Sequence, residues 1–200
     1  MKNLFILCFA VASTSFVQAQ KFSFGVKSGV NAHDWYFNNA NSSTSSILFN
    51  QHKPKSGYEL GLTACQKLSQ KISLNEEALF SQRNNMLSNN DWALKTQYLA
   101  IPVFLSFNVF KPLSIDLGGE YSRVVKFQLA NSEYLFDSKD FASTLIGIRY
   151  NFLEKFNIHC RFVQTINKIS QIELTDFNAV IIGKLTPHSH TLSLAFGYQF

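Results

Sequence analysis

The sequence predicts an all-β fold, an eight-stranded antiparallel up-and-down transmembrane β-barrel. Apolar and polar residues alternate over eight segments, and short connections between these segments alternate with long ones. Beyond the first twenty residues, no apolar run is long enough for a membrane-spanning helix. Alternation with period two is typical of strands that have two different faces. A chain without such a helix can cross a bilayer only as a closed barrel, because its backbone polar groups must all be paired.

The composition excludes several classes of protein. Only 16% of the 200 residues are charged, 46% are hydrophobic, and the formal net charge of +5 is spread along the chain. This charged fraction is too low for a disordered tail, a coiled coil or a histone-like protein. We therefore expect one ordinary domain with no nucleic-acid partner. The three cysteines are too few for a disulfide scaffold.

Residues 1–19 predict a cleaved signal peptide. Lys2 precedes an apolar run at residues 4–11, which is too short to span a bilayer. Small residues suit the position before a signal-peptidase cut, so we place cleavage after Ala19. A structured N-terminal helix is the alternative. We expect residues 20–200 to be exported and to form a single β-barrel domain.

The connections between the predicted strands place the loops. The eight predicted strands are Phe22–Asn31, Gly57–Gln66, Lys71–Asn84, Thr96–Phe107, Leu113–Phe127, Phe141–Tyr150, Phe156–Thr165 and Ser189–Phe200. Three connections are short and four are long, and the two kinds alternate strictly. The long ones therefore share one end of the barrel, which we expect to be extracellular, with short periplasmic turns at the other. The first long loop contains a polar run, Asn38–Ser46, which is too polar to fold alone.

The two faces of the strands decide between a membrane barrel and a soluble, lipocalin-like barrel. In the last strand, Leu194 and Phe196 fall on one face. Ala195 and Gly197 fall on the other. A soluble barrel would turn the bulky face inward, whereas a membrane barrel turns it toward lipid. Because the interior of an eight-stranded barrel is just wide enough to be filled by side chains, the small-residue face fits inside better. We therefore predict the membrane barrel.

This assignment places charges of both signs inside the barrel. The predicted interior charge network, with a structural role, consists of Lys27, Glu59, Glu77, Arg83, Asp116, Glu120, Arg149 and Arg161. Opposite charges buried together satisfy one another, whereas unpaired charges are costly. An interior filled in this way predicts no open pore. The same parity turns Phe104 and Cys65 inward and Cys160 toward lipid, so we expect no intramolecular disulfide. Pro102 lacks a donor for the ladder and predicts a bulge.

Aromatic residues gather near the short-turn end of the predicted barrel. They are Phe22, Phe107, Tyr150, Phe152, Phe156, Tyr198 and Phe200. Aromatic girdles of this kind lie at the membrane interfaces of such barrels. Tyr198 and the terminal Phe200 form a C-terminal signature for membrane insertion, so we expect the barrel-assembly machinery as a partner during insertion.

Short motifs along the whole exported chain resemble the PorT-like outer-membrane β-barrel family of small eight-stranded proteins. Gly25–Asn31 is similar to the opening strand of that family, and Tyr98–Pro102 resembles its Tyr-Leu-x-Ile-Pro. Leu79–Arg83 looks like its third strand and Phe196–Phe200 like its last. The resemblance implies a Gram-negative outer membrane and no particular activity. One branch of the family takes part in protein secretion, and no motif here selects that branch.

The sequence contains few residues arranged for chemistry. His188 and His190, with His33 and Asp34, offer a metal-site hypothesis, since alternate residues of a strand point to the same side. We favour a polar loop rim instead, and we predict no metal, cofactor or catalytic residue. No spacing selects a catalytic triad.

Three functional hypotheses follow. The first is a structural or surface-binding barrel whose loops contact a protein, a glycan or lipopolysaccharide, because loops on a rigid scaffold commonly carry binding. The second is an accessory component of an export or secretion machine. The third is an enzyme with its site at the loop rim. The membrane lipid itself is a further expected partner.

Overall fold

The computed structural model describes the backbone of residues 22–38, 52–87, 92–129, 132–134, 140–166, 172–175 and 181–200. The predicted signal peptide lies outside these ranges, and so does the polar run Asn38–Ser46 except for its first residue. Within the described ranges, no helix is long and apolar enough to cross a membrane.

Ten strands form in the described part of the chain. They are β1 (Phe22–Asn38), β2 (His52–Lys67), β3 (Ile72–Leu87), β4 (Trp92–Phe110), β5 (Leu113–Leu129), β6 (Ser132–Tyr134), β7 (Asp140–Asn151), β8 (Phe156–Thr165), β9 (Ile172–Thr175) and β10 (Ile181–Gln199). Eight of them form the wall, in the order β1-β2-β3-β4-β5-β7-β8-β10, and β10 pairs with β1 to close it. The short strands β6 and β9 pair antiparallel with β5 and β10 at the long-loop end. The predicted fold class is confirmed.

The barrel strands run further into the loop end than the hydrophobic pattern indicates. β1 continues to Asn38 instead of ending at Asn31, and β10 begins at Ile181 instead of Ser189. These extensions pair with each other, for example Phe37 with Pro187. Backbone hydrogen bonds join the two extensions, and such bonds form whether or not the side chains alternate. The alternation that predicts strands stops where the apolar band stops.

Pro102 corrects one local prediction. On the β5 side it pairs with Glu120 in register, and the register shifts of β4 against β5 fall elsewhere, at Gln97/Tyr98 and at Asn108/Phe110. On the β3 side the ladder passes from Val103 to Ala100 with equal spacing on both strands. The predicted bulge at Pro102 is therefore wrong. The missing N–H is accommodated by an interruption of the β3–β4 pairing without any change of register.

The two faces of the wall differ as the pattern predicts. On the outer face, Leu62, Ile146 and Leu194 are 64%, 52% and 54% exposed. On the inner face, Lys27 and Arg161 are almost fully buried. Apolar outside and charged inside is the arrangement of a membrane barrel, not of a water-soluble one. Cys65 lies inside and Cys160 outside, as their parity predicts.

Small residues make room for large ones across the inner wall. Gly118 lies opposite Phe104, and a Cβ atom at Gly118 would collide with Val103 O and Phe104. Gly147 is likewise paired with a large inward-facing residue, Arg161. The inner face also carries bulky apolar side chains that the sequence pattern did not emphasise. They are Leu79, Tyr98, Phe141, Leu145 and Val163.

Candidate functional site

The first of three clusters of buried charges lies in the middle of the barrel, around Glu77. Its carboxylate oxygens accept hydrogen bonds from Arg161 Nη1 and Nη2, both at 2.9 Å, and from Lys27 Nζ at 3.0 Å. Lys27 Nζ also lies 3.1 Å from Glu59 Oε1. Since these residues come from β1, β2, β3 and β8, the cluster crosses the lumen and joins opposite walls. Planar, two-point contact of a guanidinium with a carboxylate is the strongest form of such a pair.

A second ion pair lies nearer the loop end. Arg83 Nη2 donates to Glu120 Oε1 at 2.6 Å, and Ser122 Oγ donates to the same oxygen at 2.6 Å. The guanidinium of Arg83 also lies over the ring of Tyr98, 4.6 Å from its centroid. Cation–π contact of this kind is strengthened where water is excluded. This part of the network joins β3 to β5 by way of β4.

A third cluster lies nearer the short turns. Arg149 Nη2 donates to Asp116 Oδ2 and to Ser106 Oγ, both at 3.1 Å. Arg149 Nη1 donates to Asn75 Oδ1 at 3.0 Å, across the barrel. Ser106 Oγ in turn donates to Asp116 Oδ1 at 2.6 Å. The Asp116 carboxylate is therefore bound through both of its oxygens.

Phe104 packs between the first and third of these clusters as an apolar spacer. The guanidinium groups of Arg149 and Arg161 lie 5.4 Å and 4.8 Å from the centroid of its ring. With Leu145 and Val163 it forms the apolar cluster of the interior. Parity places Phe104 inside, but its stacking against two arginines has no signal in the sequence. Tyr98 is not among the predicted interior residues, although its alternation with Ala100 and Phe104 indicates the inner face.

The eight residues of the predicted interior network are all found inside, and the structure brings them together in the three clusters. Four are cations and four are carboxylates, so their formal charges cancel. Each of the eight is at most 6% exposed. A small polar cavity beside Glu77 and His159 has room for about one water molecule. The described interior is a packed and charge-balanced core, in which the network joins the walls of the barrel.

The histidines of the metal-site hypothesis are divided between two faces. His33 is buried inside, where Nδ1 lies 2.8 Å from Thr191 Oγ1. His190 and Asp34 lie on the other face, with Nε2 and Oδ2 3.6 Å apart. Strand alternation therefore separates His33 from the pair. Among the described residues, no three His, Cys, Asp or Glu side chains lie close enough together to hold a metal ion.

Aromatic side chains form a continuous cluster on the outer face at the short-turn end. Ring centroids lie 5.9 Å apart for Phe152 and Phe156, 4.9 Å for Phe156 and Tyr198, and 5.7 Å for Tyr198 and Phe200. The backbone N–H of Phe200 donates to Phe24 O at 2.8 Å, which ties the chain end to β1. Rings at this height suit the boundary between lipid tails and headgroups.

A closed barrel with an apolar outer wall, a charged packed core and an aromatic girdle defines a small transmembrane β-barrel protein. Residues 4–200 match the family described as the outer membrane protein beta-barrel domain. The chain belongs to this family, and its location is the outer membrane.

Solved structures with the same fold agree with this class. Neisserial surface protein A has a TM-score of 0.56 at 13% identity, covering 92% of this chain and 100% of that one. OprG of Pseudomonas aeruginosa has a TM-score of 0.54 at 13% identity, covering 90% and 97%. Ail, the attachment invasion locus protein of Yersinia pestis, has a TM-score of 0.54 at 13% identity, covering 90% and 99%. No curated protein matches in sequence. At such low identity the likeness shows the fold alone.

Proposed function

We propose that this protein is a non-enzymatic outer-membrane scaffold that binds a partner at its extracellular loop end. The observation that carries the proposal is the packed, charge-balanced interior. Among the described residues, the Arg161–Glu77 and Arg149–Asn75 contacts cross the lumen and leave no path for a solute. Recognition then falls to the surfaces outside the barrel, and long loops on a rigid wall commonly carry it.

The charges at the loop end favour an anionic saccharide as the partner. Lys55 and Lys95 are exposed near the ends of β2 and β4. Arg123 and Lys126 lie near the end of β5, and Arg123 Nε lies 3.8 Å from Asp140 Oδ1. Phosphate or sulfate groups on a sugar match such dispersed cations. Lipopolysaccharide carries phosphates of this kind. Ail of Yersinia pestis, a barrel of the same fold, has a structure in complex with the heparin analogue sucrose octasulfate.

Binding of sucrose octasulfate to the protein refolded in nanodiscs tests the proposal. We expect saturable binding that weakens with salt, because ion contacts are screened. A loop-end variant, Lys55→Gln/Lys95→Gln/Lys126→Gln, should bind at least about tenfold more weakly, at roughly half a kcal/mol for each exposed contact. The matched control, Lys67→Gln/Lys111→Gln/Lys155→Gln, removes the same charge from the short-turn end and should bind normally. Wild-type protein that binds neither this probe nor lipopolysaccharide would contradict the proposed partner class.

Conductance in planar bilayers tests the closed interior separately. We expect no unitary channels from the wild-type protein, because the side chains fill the lumen. Stable channels would remove the observation on which the proposal depends.

The second candidate is an accessory role in protein export, which rests on the resemblance to the PorT-like family, although no motif selects the branch that takes part in secretion. The matching segments include Tyr98–Pro102 and Phe196–Phe200. Deletion of the gene, followed by measurement of secreted proteins, tests this role. Unchanged secretion would exclude it and leave the binding role in place.

An enzyme at the loop rim is the least supported hypothesis. His33 and His190 face opposite sides of the wall, so these two residues do not share one catalytic pocket. If His188→Ala/His190→Ala abolished a hydrolytic or lipid-modifying activity without unfolding the barrel, the non-enzymatic proposal would be wrong.

A further inference from the structure

The short-turn end of the barrel carries a ring of lysines. Lys67 and Lys71 flank the β2–β3 turn, Lys111 lies in the β4–β5 turn, and Lys155 lies in the β7–β8 turn. All four side chains are exposed. Within these three turns the structure describes one acidic side chain, Glu154. Four lysines against one glutamate give this rim a net positive charge.

Backbone hydrogen bonds fix this ring as one continuous rim. Each turn accepts a bond from the strand end beside it. The N–H of Asn108 donates to Lys71 O at 2.8 Å, and the N–H of Gln199 donates to Lys155 O at 2.8 Å. Asn151 donates to Pro112 O from its backbone N–H, at 2.9 Å, and also from its side-chain amide. The backbones of Lys71, Lys155 and Pro112, which follows Lys111, are therefore anchored to neighbouring strands.

Exposed apolar side chains accompany the lysines in each turn. Leu68 follows Lys67 and is 41% exposed, Phe110 precedes Lys111 and is 60% exposed, and Leu153 lies near Lys155 and is 59% exposed. A soluble polyanion would gain nothing from these apolar groups. A lipid surface satisfies both kinds, because its tails accept the apolar side chains and its headgroups accept the lysines.

We propose that this rim, Lys67, Lys71, Lys111 and Lys155, binds the anionic headgroups of phospholipids in the inner leaflet of the outer membrane. Short turns face the periplasm in barrels of this class, which places the rim at that leaflet. Lysines near an anionic lipid surface are attracted to it individually, and several on one rigid rim act together. The site is distinct from the loop end and does not depend on what the loops bind.

Native mass spectrometry of the refolded protein in detergent micelles, with phosphatidylglycerol and phosphatidylcholine added in competition, tests this site. We expect the wild-type protein to retain phosphatidylglycerol with a preference of about tenfold over phosphatidylcholine. The rim variant Lys67→Gln/Lys111→Gln/Lys155→Gln should lose most of this preference. The charge-preserving variant Lys67→Arg/Lys111→Arg/Lys155→Arg should keep it. A shift in gel mobility on boiling confirms that each variant is folded.

The loop-end variant Lys55→Gln/Lys95→Gln/Lys126→Gln is the matched control and should keep the lipid preference. Three results would overturn the proposal: an unchanged preference in the rim variant, a loss of preference in the loop-end variant, or rim-dependent binding of acidic peptidoglycan fragments in place of phosphatidylglycerol. Because the two triple variants exchange roles between this assay and the sucrose octasulfate assay, failure of one proposal leaves the other testable.

Discussion

Glu76 and Glu77 are neighbours in β3, and they lie on opposite faces of the wall. Glu77 faces the lumen and contacts Lys27 and Arg161. Glu76 faces outward between Ala64 of β2 and Val103 of β4. Its side-chain carboxylate forms no hydrogen bond or ion pair within the part of the chain that the structure describes.

The two carboxylates show that the barrel wall separates two different surroundings, polar and charged side chains inside and lipid outside. Inside, a charge is stable because oppositely charged groups and hydroxyls surround it. Outside, lipid supplies no partner, and a charge is disfavoured according to its depth in the bilayer. Two glutamates one residue apart therefore affect the stability of the barrel in opposite directions.

Removal of the buried carboxylate of Glu77 should reduce the stability of the barrel more than any other change considered. Glu77→Leu leaves Arg161 without its bidentate partner and Lys27 with Glu59 alone. Breaking a buried pair by removing one partner destabilises a protein by about 3–5 kcal/mol. Urea unfolding of the refolded protein in lipid vesicles measures the change in free energy of unfolding.

The double variant Glu77→Leu/Arg161→Met serves as the control for this prediction. It removes both charges, so it should recover a substantial part of the loss. A Glu77→Leu protein as stable as the wild type would show that the central cluster does not hold the barrel.

An intermediate effect is expected from placing a charge on the outer side. Leu194 is 54% exposed on the lipid-facing side of β10. Leu194→Lys should destabilise the barrel by about 2–4 kcal/mol if this position lies near the middle of the bilayer. Tyr150→Lys, close to the short-turn end of β7, should cost no more than about 1 kcal/mol, since interfacial positions tolerate charge. The same unfolding assay measures both, and equal costs would contradict the assigned membrane band.

Replacement of Glu76 should change the free energy of unfolding the least. Glu76→Leu continues the apolar face between Leu74 and Ala78, and it removes a carboxylate that has no ion partner among the described residues. We expect a stabilisation of about 1 kcal/mol, because lipid-facing acidic residues are disfavoured less strongly than basic ones. A destabilised variant would indicate that this carboxylate has a partner in the membrane.

Much of the fold and of the candidate site can be predicted from the sequence. Residues such as Leu194 and Ala195 alternate in kind, and alternation alone assigns them to opposite faces. The same parity places Lys27, Glu77 and Arg161 in the lumen. The narrow interior of an eight-stranded barrel then selects the small and charged face as the inner one. These inferences succeed because period two is a local property of extended chains.

Other features needed the folded molecule. Parity brings Arg161 inside but does not say that it meets Glu77, 84 residues away. It also does not predict that Pro102 keeps its register, or that β10 extends to Ile181. The sequence alone is enough to predict the inner and outer faces of the strands, the number of barrel strands and the end at which the loops lie. All three follow from the spacing of residues along the chain. The choice of ion-pair partners and the hydrogen bonds that connect the lysine-bearing turns to neighbouring strands were decided only by the tertiary structure. Closing the barrel sets the distances between side chains on different strands, and no local pattern contains those distances.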